Sequence, residues 1–148
     1  MKFNFQDGNG MVPAHRHINP DGSEGGWVAE TAKVEKECYV GPNAQVSEDA
    51  RVYGTAWVYG DAQVYGDARV CGNARVSEDS RVYGNARVYG DARVYGNAQV
   101  LIGDLDSGSH EASPIQMQIG RWSAVFTGTA LNVGCQHLTI PQWRKQLK

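Results

Sequence analysis

The chain has no long hydrophobic run, no marked excess of charge and too few cysteines for a disulfide framework. Nowhere does it approach 18 consecutive apolar residues, and its first residues, Met-Lys-Phe-Asn-Phe-Gln-Asp-Gly, contain no apolar signal core, so a transmembrane or secreted protein is not expected. Fourteen basic and 16 acidic residues give a formal net charge of −2, which provides no global attraction to polymeric nucleic acid or an anionic membrane. Cys38, Cys71 and Cys135 are odd in number and unevenly spaced, which fits reduced thiols. Histidine is absent from residues 28 to 104; all four, His15, His17, His110 and His137, lie outside that stretch. These absences predict a soluble, cytoplasmic protein.

What fills the middle of the chain is a repeat. Thirteen valines recur every six residues from Val28 to Val100, usually with a small residue two positions before each, and between Ala44 and Val100 Gly-Asn or Gly-Asp makes most of the turns, as in Ala62-Gln63-Val64-Tyr65-Gly66-Asp67. Ala and Val two apart face the same side of a strand, and the residue between them faces the other way. The Gly-Asn and Gly-Asp pairs break each strand. So short a strand cannot bury its valine alone, so successive units must stack, three to a triangular rung. Antiparallel hairpins would need longer strands between turns.

With Val46, Val52 and Val58 each heading a column of valines 18 residues apart, the chain resembles the hexapeptide-repeat left-handed parallel β-helices. More narrowly, it resembles phage and prophage proteins rich in Val-Tyr-Gly-Asn-Ala-Arg repeats. His15-Arg16-His17-Ile18-Asn19-Pro20, Gly25-Gly26-Trp27-Val28 and Val133-Gly134-Cys135-Gln136-His137 carry that narrower likeness. The expected fold is all-β: a left-handed parallel β-helix of about four rungs with a small C-terminal β-meander and short helix. The left-handed sense is implied by the resemblance and runs against the usual right-handed crossover.

Four segments are expected: an irregular N-terminal arm or cap over residues 1–26, the β-helix over 27–104, a linker over 105–114, and a meander with a helix over 115–148. In the last, Ile115 to Ile119 alternates with period two, Thr139 caps a helix entered through Pro141, and Trp122, Phe126 and Trp143 supply the core. This terminal unit would cap the last rung or join subunits. The resemblance also implies self-association, with a trimer preferred.

Many β-helices of this architecture are acyltransferases that use a histidine on a coil as general base. Without a histidine or an inserted loop in residues 28–104, the resemblance stops at the scaffold. An acyl-CoA-dependent transferase using His15, His17 or His137 is therefore a rival reading, and no catalytic residue or cofactor is expected. His15 and His17 form half a metal site, which Cys135 and His137 would have to complete, so no metal is expected either.

Stronger candidates stand on the outside of the prism. The position before each valine holds Lys33, Arg51, Arg69 and Arg87 in one column, Tyr39, Trp57, Arg75 and Arg93 in the next, and Gln45, Gln63, Arg81 and Gln99 in the third. Like charges one rung apart repel, so an arginine ladder calls for anions or acidic neighbours. Asp49, Asp61, Asp67, Asp79, Asp91, Glu48 and Glu78 at the corners are numerous enough to lace the surface with compensating charge.

Six tyrosines, Tyr53, Tyr59, Tyr65, Tyr83, Tyr89 and Tyr95, follow an inward valine; tyrosine and arginine are favoured where a surface is covered by another molecule. Copying of one ancestral hexapeptide would also produce that display. The functional expectation is a non-catalytic oligomeric binding protein that captures an anionic small molecule, one concrete version being a phage protein that sequesters a host nucleotide signal. Arg51, Arg69, Arg87, Arg75 and Arg93 would hold phosphate, and Tyr53, Tyr89 or Trp57 a ring, with His15, Arg16 and His17 as further ligand contacts. A structural protein that uses the same faces against other proteins is the principal alternative.

Overall fold

The computed structural model describes residues 1–101 in full and, beyond them, only the backbone of six short strands between Asp104 and Thr139. The repeat folds as a parallel β-solenoid of about four rungs. Two-residue strands at Arg51–Val52, Arg69–Val70 and Arg87–Val88 pair in parallel, arginine beside arginine and valine beside valine. Rungs are joined by bonds such as Arg51 N–H to the Ala68 carbonyl, 2.9 Å, and Tyr53 N–H to the Val70 carbonyl, 3.0 Å.

The core is built from two residues per unit. Twelve of the valines are 0–1 % exposed, and the alanines two positions before them are buried as well. Each buried valine contributes about 1.5–3 kcal/mol relative to an exposed one, which sustains the core of the repeats on small side chains; Phe5 is the buried aromatic on the N-terminal strands' side of the cluster. At three of the alanine positions the sequence substitutes another small residue, Gly26, Cys38 and Ser80. Cys38 is buried with its thiol near the Gly54 carbonyl, and Ser80 satisfies its hydroxyl by donating to the Ser77 carbonyl at 2.6 Å.

Three flat faces result, and the strand registers assign the outward residues to them. The first face carries Gln45, Gln63, Arg81 and Gln99, the second Lys33, Arg51, Arg69 and Arg87, and the third Tyr39, Trp57, Arg75 and Arg93. Turns such as Cys71–Ala74, closed by Ala74 N–H on the Cys71 carbonyl, make the corners. Their second residue takes a positive φ, +66° at Gly72, where an added Cβ would also come within 3.0 Å of the Gly90 nitrogen in the next rung. Glycine therefore answers both a left-handed backbone and a close approach. Glu48 and Glu78 hold the same place with φ of 57° and 59°.

The N-terminal residues depart from the expected irregular arm. Strands β1 (Lys2–Asn4), β2 (Met11–Ile18) and β3 (Glu24–Ala29) pair antiparallel, and β3 then pairs in parallel with Gln45–Val46. The arm and the first face are thus one seven-stranded sheet, and the expected boundary at 26/27 falls inside β3. Backbone pairing supplies the reason: without β2, the first face would begin with an unpaired strand edge.

Side chains do the same for the third face. Its first strand, Tyr39–Val40, has no strand before it, and the buried His17 and Asn19 stand in for one. The His17 Nε2–H donates to the Cys38 carbonyl at 2.9 Å, and the Asn19 carbonyl oxygen accepts the Val40 N–H at 2.9 Å. Gly25 and Gly26 lie so near the Val40 and Ala44 carbonyls that neither position has room for a Cβ.

Past Val100, Asp104–Leu105 pairs beside Arg87–Val88 and Ser109–His110 beside Arg93–Val94, so the ladders run on into the stretch read as a linker. Ile115–Ile119, Trp122–Phe126, Ala130–Val133 and Gln136–Thr139 form a four-stranded antiparallel sheet. The helix expected after Thr139 and the side chains of Trp122, Phe126 and Trp143 lie outside the described residues. Among those residues, no helix is long and apolar enough to cross a membrane.

Candidate functional site

The second face gathers four cations in consecutive rungs. Lys33, Arg51, Arg69 and Arg87 occupy adjacent register positions at a pitch of about 4.8 Å, and Asp104 takes the next position in the register. Adjacent charges at that spacing repel by about 1 kcal/mol in water and more near a low-dielectric surface. The expected lacing by corner carboxylates is not seen: among the described residues the ion pairs are His15–Glu30, Arg16–Glu24 and Lys36–Glu37, and none involves a repeat arginine. The arginines leave from strands and the carboxylates from turns, and among the described residues no turn carboxylate comes within ion-pair distance of a repeat arginine.

Beside the first three cations lies a groove of about 350 Å³, lined by Lys33, Val34, Glu35, Arg51, Val52, Tyr53 and Arg69. Its volume falls at the low end for small-molecule sites. Glu35 adds one negative charge to the groove's wall, and one of its carboxylate oxygens is engaged by the Gly54 N–H at 2.9 Å. Tyr53 borders the groove from the corner between the second and third faces. Its phenol is held above the ordinary range, first through a hydrogen bond with Cys71 and then by burial, against the opposing pull of Arg69 and Arg87. It therefore presents a neutral ring and hydroxyl beside the cations. Lys33 and Glu35 belong to this groove although neither was among the expected ligand residues; Lys33 was legible from its column, and Glu35 only from the three-dimensional corner.

The remaining candidates divide. Arg75 and Arg93 are neighbours on the third face and line a separate depression with Thr55, Trp57, Asn73 and Asp91. Along that corner Thr55 donates to the Asn73 side-chain oxygen at 2.5 Å, and the Asn73 amide donates to Asp91 at 3.2 Å. Trp57 is exposed, yet Tyr39 stacks on it from the preceding rung with centroids 4.8 Å apart, and the Arg75 guanidinium lies 5.8 Å from its centroid from the following rung. With Tyr39 and Arg75 against its ring, Trp57 presents mainly its edge, and Tyr53 is the candidate ring that lines the groove. Tyr65 and Tyr83 likewise stack on each other, 5.0 Å apart and 9° from parallel.

His15, Arg16 and His17 are not brought to the ladder. They sit on β2, where His15 meets Glu30 at 2.8 Å and Arg16 reaches Glu24, the Pro42 carbonyl and the Trp27 ring. A register irregularity between Arg16 and Ile18 turns His17 inward to its capping role, so the His-x-His spacing does not become a pair of ligands. Burial, more than the neighbouring His15, lowers the His17 pKa, while the bond to Cys38 raises it. Among the described residues no group of three or more histidines, cysteines or carboxylates is placed to hold a metal. Cys38 is an unreactive thiol, its pKa pushed up to about 11 mainly by burial.

Comparison with known proteins bears on the scaffold. A family model described as YdcK Beta solenoid repeat matches residues 44–60, 62–78, 68–84, 80–96 and 86–101. The repeat is a β-solenoid. Matches beginning at 62 and 68, and again at 80 and 86, are offset by six residues, which is the spacing from one face to the next. No curated protein and no solved structure matches the chain.

Proposed function

We propose that the protein is a non-catalytic, oligomeric binding scaffold that captures an anionic small molecule on its second face. The observation that carries this reading is the run Lys33, Arg51, Arg69 beside the Tyr53 groove, cations in consecutive rungs with no carboxylate pairing them among the described residues. Guanidinium groups bind phosphate or carboxylate through paired, charge-assisted hydrogen bonds, and a rigid solenoid holds them in place with little ordering cost. In this reading a phosphorylated or carboxylated head lies along the ladder and a ring rests against Tyr53. The left-handed coiling and the phage-like resemblance belong to the same proposal; in that setting the ligand is a host nucleotide signal and the protein its cytoplasmic sink.

The test is native mass spectrometry of protein purified rapidly from bacterial cells, with and without phage infection, alongside the Arg51→Gln/Arg69→Gln variant. Loss of two charge-assisted contacts weakens binding by at least about tenfold. A stoichiometric anionic adduct that is present in the parent and lost in the variant supports capture. An adduct-free protein from both cell states removes the reading and leaves a structural role.

A further inference from the structure

The charges of the solenoid are unevenly distributed. Around the corner between the second and third faces stand Arg51, Arg69 and Arg87 on one flank and Arg75 and Arg93 on the other, outnumbering the carboxylates Glu35, Glu37 and Asp91 of its turns. Three exposed aromatic residues share this edge: Tyr53 at 36 %, Tyr89 at 37 % and Trp57 at 46 %. The opposite side is the first face, whose outward residues are glutamines apart from Trp27 and Arg81. One of its bounding corners carries Glu48, Asp49 and Asp67, and the other Asp61, Glu78 and Asp79.

Two surfaces of opposite sign, on opposite sides of one rigid body and unpaired across it among the described residues, are complementary to each other in a second copy. Pitch adds to the match. Asp49 and Asp67 on one acidic corner, and Asp61 and Asp79 on the other, stand one rung apart at the same spacing of about 4.8 Å as the arginines, so a second solenoid laid alongside meets carboxylates at two successive rungs. A partner with another repeat distance would align at one rung and lose the register at the next. Tyrosine, tryptophan and arginine at the basic edge are also the residue types that dominate binding energy in protein contacts.

We infer that this protein self-associates through a heterologous contact in which the basic, aromatic edge of one copy docks on the acid-bordered first face of the next. The two patches differ, so the contact passes a free patch of each kind to the next subunit, giving a closed ring or an open chain. Like-charged edges of two copies do not face each other. The contact stands independently of small-anion binding, which is read separately by titration with pyrophosphate.

The test is sedimentation velocity over a wide concentration range at low and high salt, on the full chain and two charge-reversed variants. One variant carries Arg69→Glu and Arg87→Glu; the other carries Asp61→Lys and Asp79→Lys. The full chain is expected to associate, and more weakly at high salt. Each variant alone is expected to sediment as a monomer, and an equimolar mixture to associate again, because each reversed patch then finds its complement. A full chain that is monomeric throughout, association that survives both reversals, or a mixture that stays monomeric overturns the contact. Circular dichroism checks that each variant is folded. Should a reversal unfold the chain, the neutral versions, Arg69→Gln/Arg87→Gln and Asp61→Asn/Asp79→Asn, each have to weaken association at least tenfold, and an unchanged dissociation constant overturns the contact equally.

Discussion

Glu48 and Glu78 show how one backbone requirement is met in two chemically different settings. Both stand where seven corners between Gly54 and Gly96 use glycine, with φ near +58°, a region that costs an ordinary residue about 1–2 kcal/mol. Glycine would relieve that cost but lose about 0.5–1 kcal/mol to its greater freedom in the unfolded chain. Glu48→Gly is therefore expected to stabilise the protein by roughly 0.5 kcal/mol. Glu78 has an additional tie, since its carboxylate accepts the Gly96 N–H of the next rung at 3.0 Å, and losing that bond costs about 1 kcal/mol. Glu78→Gly should accordingly be neutral or destabilising. Urea unfolding of both variants decides the point, and an equal shift in the two would show that the carboxylate bond contributes nothing.

At the scale of elements, the solenoid was readable because its signal is local and repeated: one inward valine, one small residue and one corner every six residues determine both the strands and the columns they join. The cationic ladder followed from the same arithmetic, since Lys33, Arg51, Arg69 and Arg87 differ by one rung each. The N-terminal strands were hidden for physical reasons. Pro13 within Met11–Ile18 reads as a break, and the irregularity near Arg16 shifts the alternation so that Ala14 and His17 are both buried. The environment of His17 is supplied by Cys38, 21 residues away, which no local spacing reveals.

That cap makes stability depend on acid. Burial holds the His17 pKa below its ordinary 6.5, so below that pH the unfolded chain takes up a proton that the folded chain resists. Stability is present in full above about pH 6.5 and falls as the pH drops toward the lowered folded value. Denaturant unfolding at about pH 7.5 and about pH 5 should show this loss, and His17→Gln, whose amide can still donate to Cys38, should reduce it. His17→Ala should cost about 1–3 kcal/mol at neutral pH by orphaning the buried carbonyl. If the pH dependence is the same in His17→Gln as in the parent, the sensitivity belongs to other groups.

At the scale of the whole molecule, the arginines offered to a small anion are in part those offered to a second copy. Arg69 lies both beside the Tyr53 groove and on the basic edge, so a bound polyanion and a docked acidic face compete for it. Competition is reciprocal: an anion that binds only the uncovered ladder weakens association by a factor of one plus its concentration over its dissociation constant, about elevenfold at ten times that constant. Pyrophosphate should therefore dissociate the assembly beyond the effect of sodium chloride at matched ionic strength, and raising the protein concentration should weaken pyrophosphate binding in turn. Screening by salt acts on every charge pair alike, whereas competition for the ladder follows the occupancy of one site. Sedimentation in a pyrophosphate series distinguishes the two: a dissociation constant that rises in proportion to pyrophosphate above its binding constant, beyond the sodium chloride control, places ligand and partner on the same side chains, and a response identical to sodium chloride shows that they do not compete.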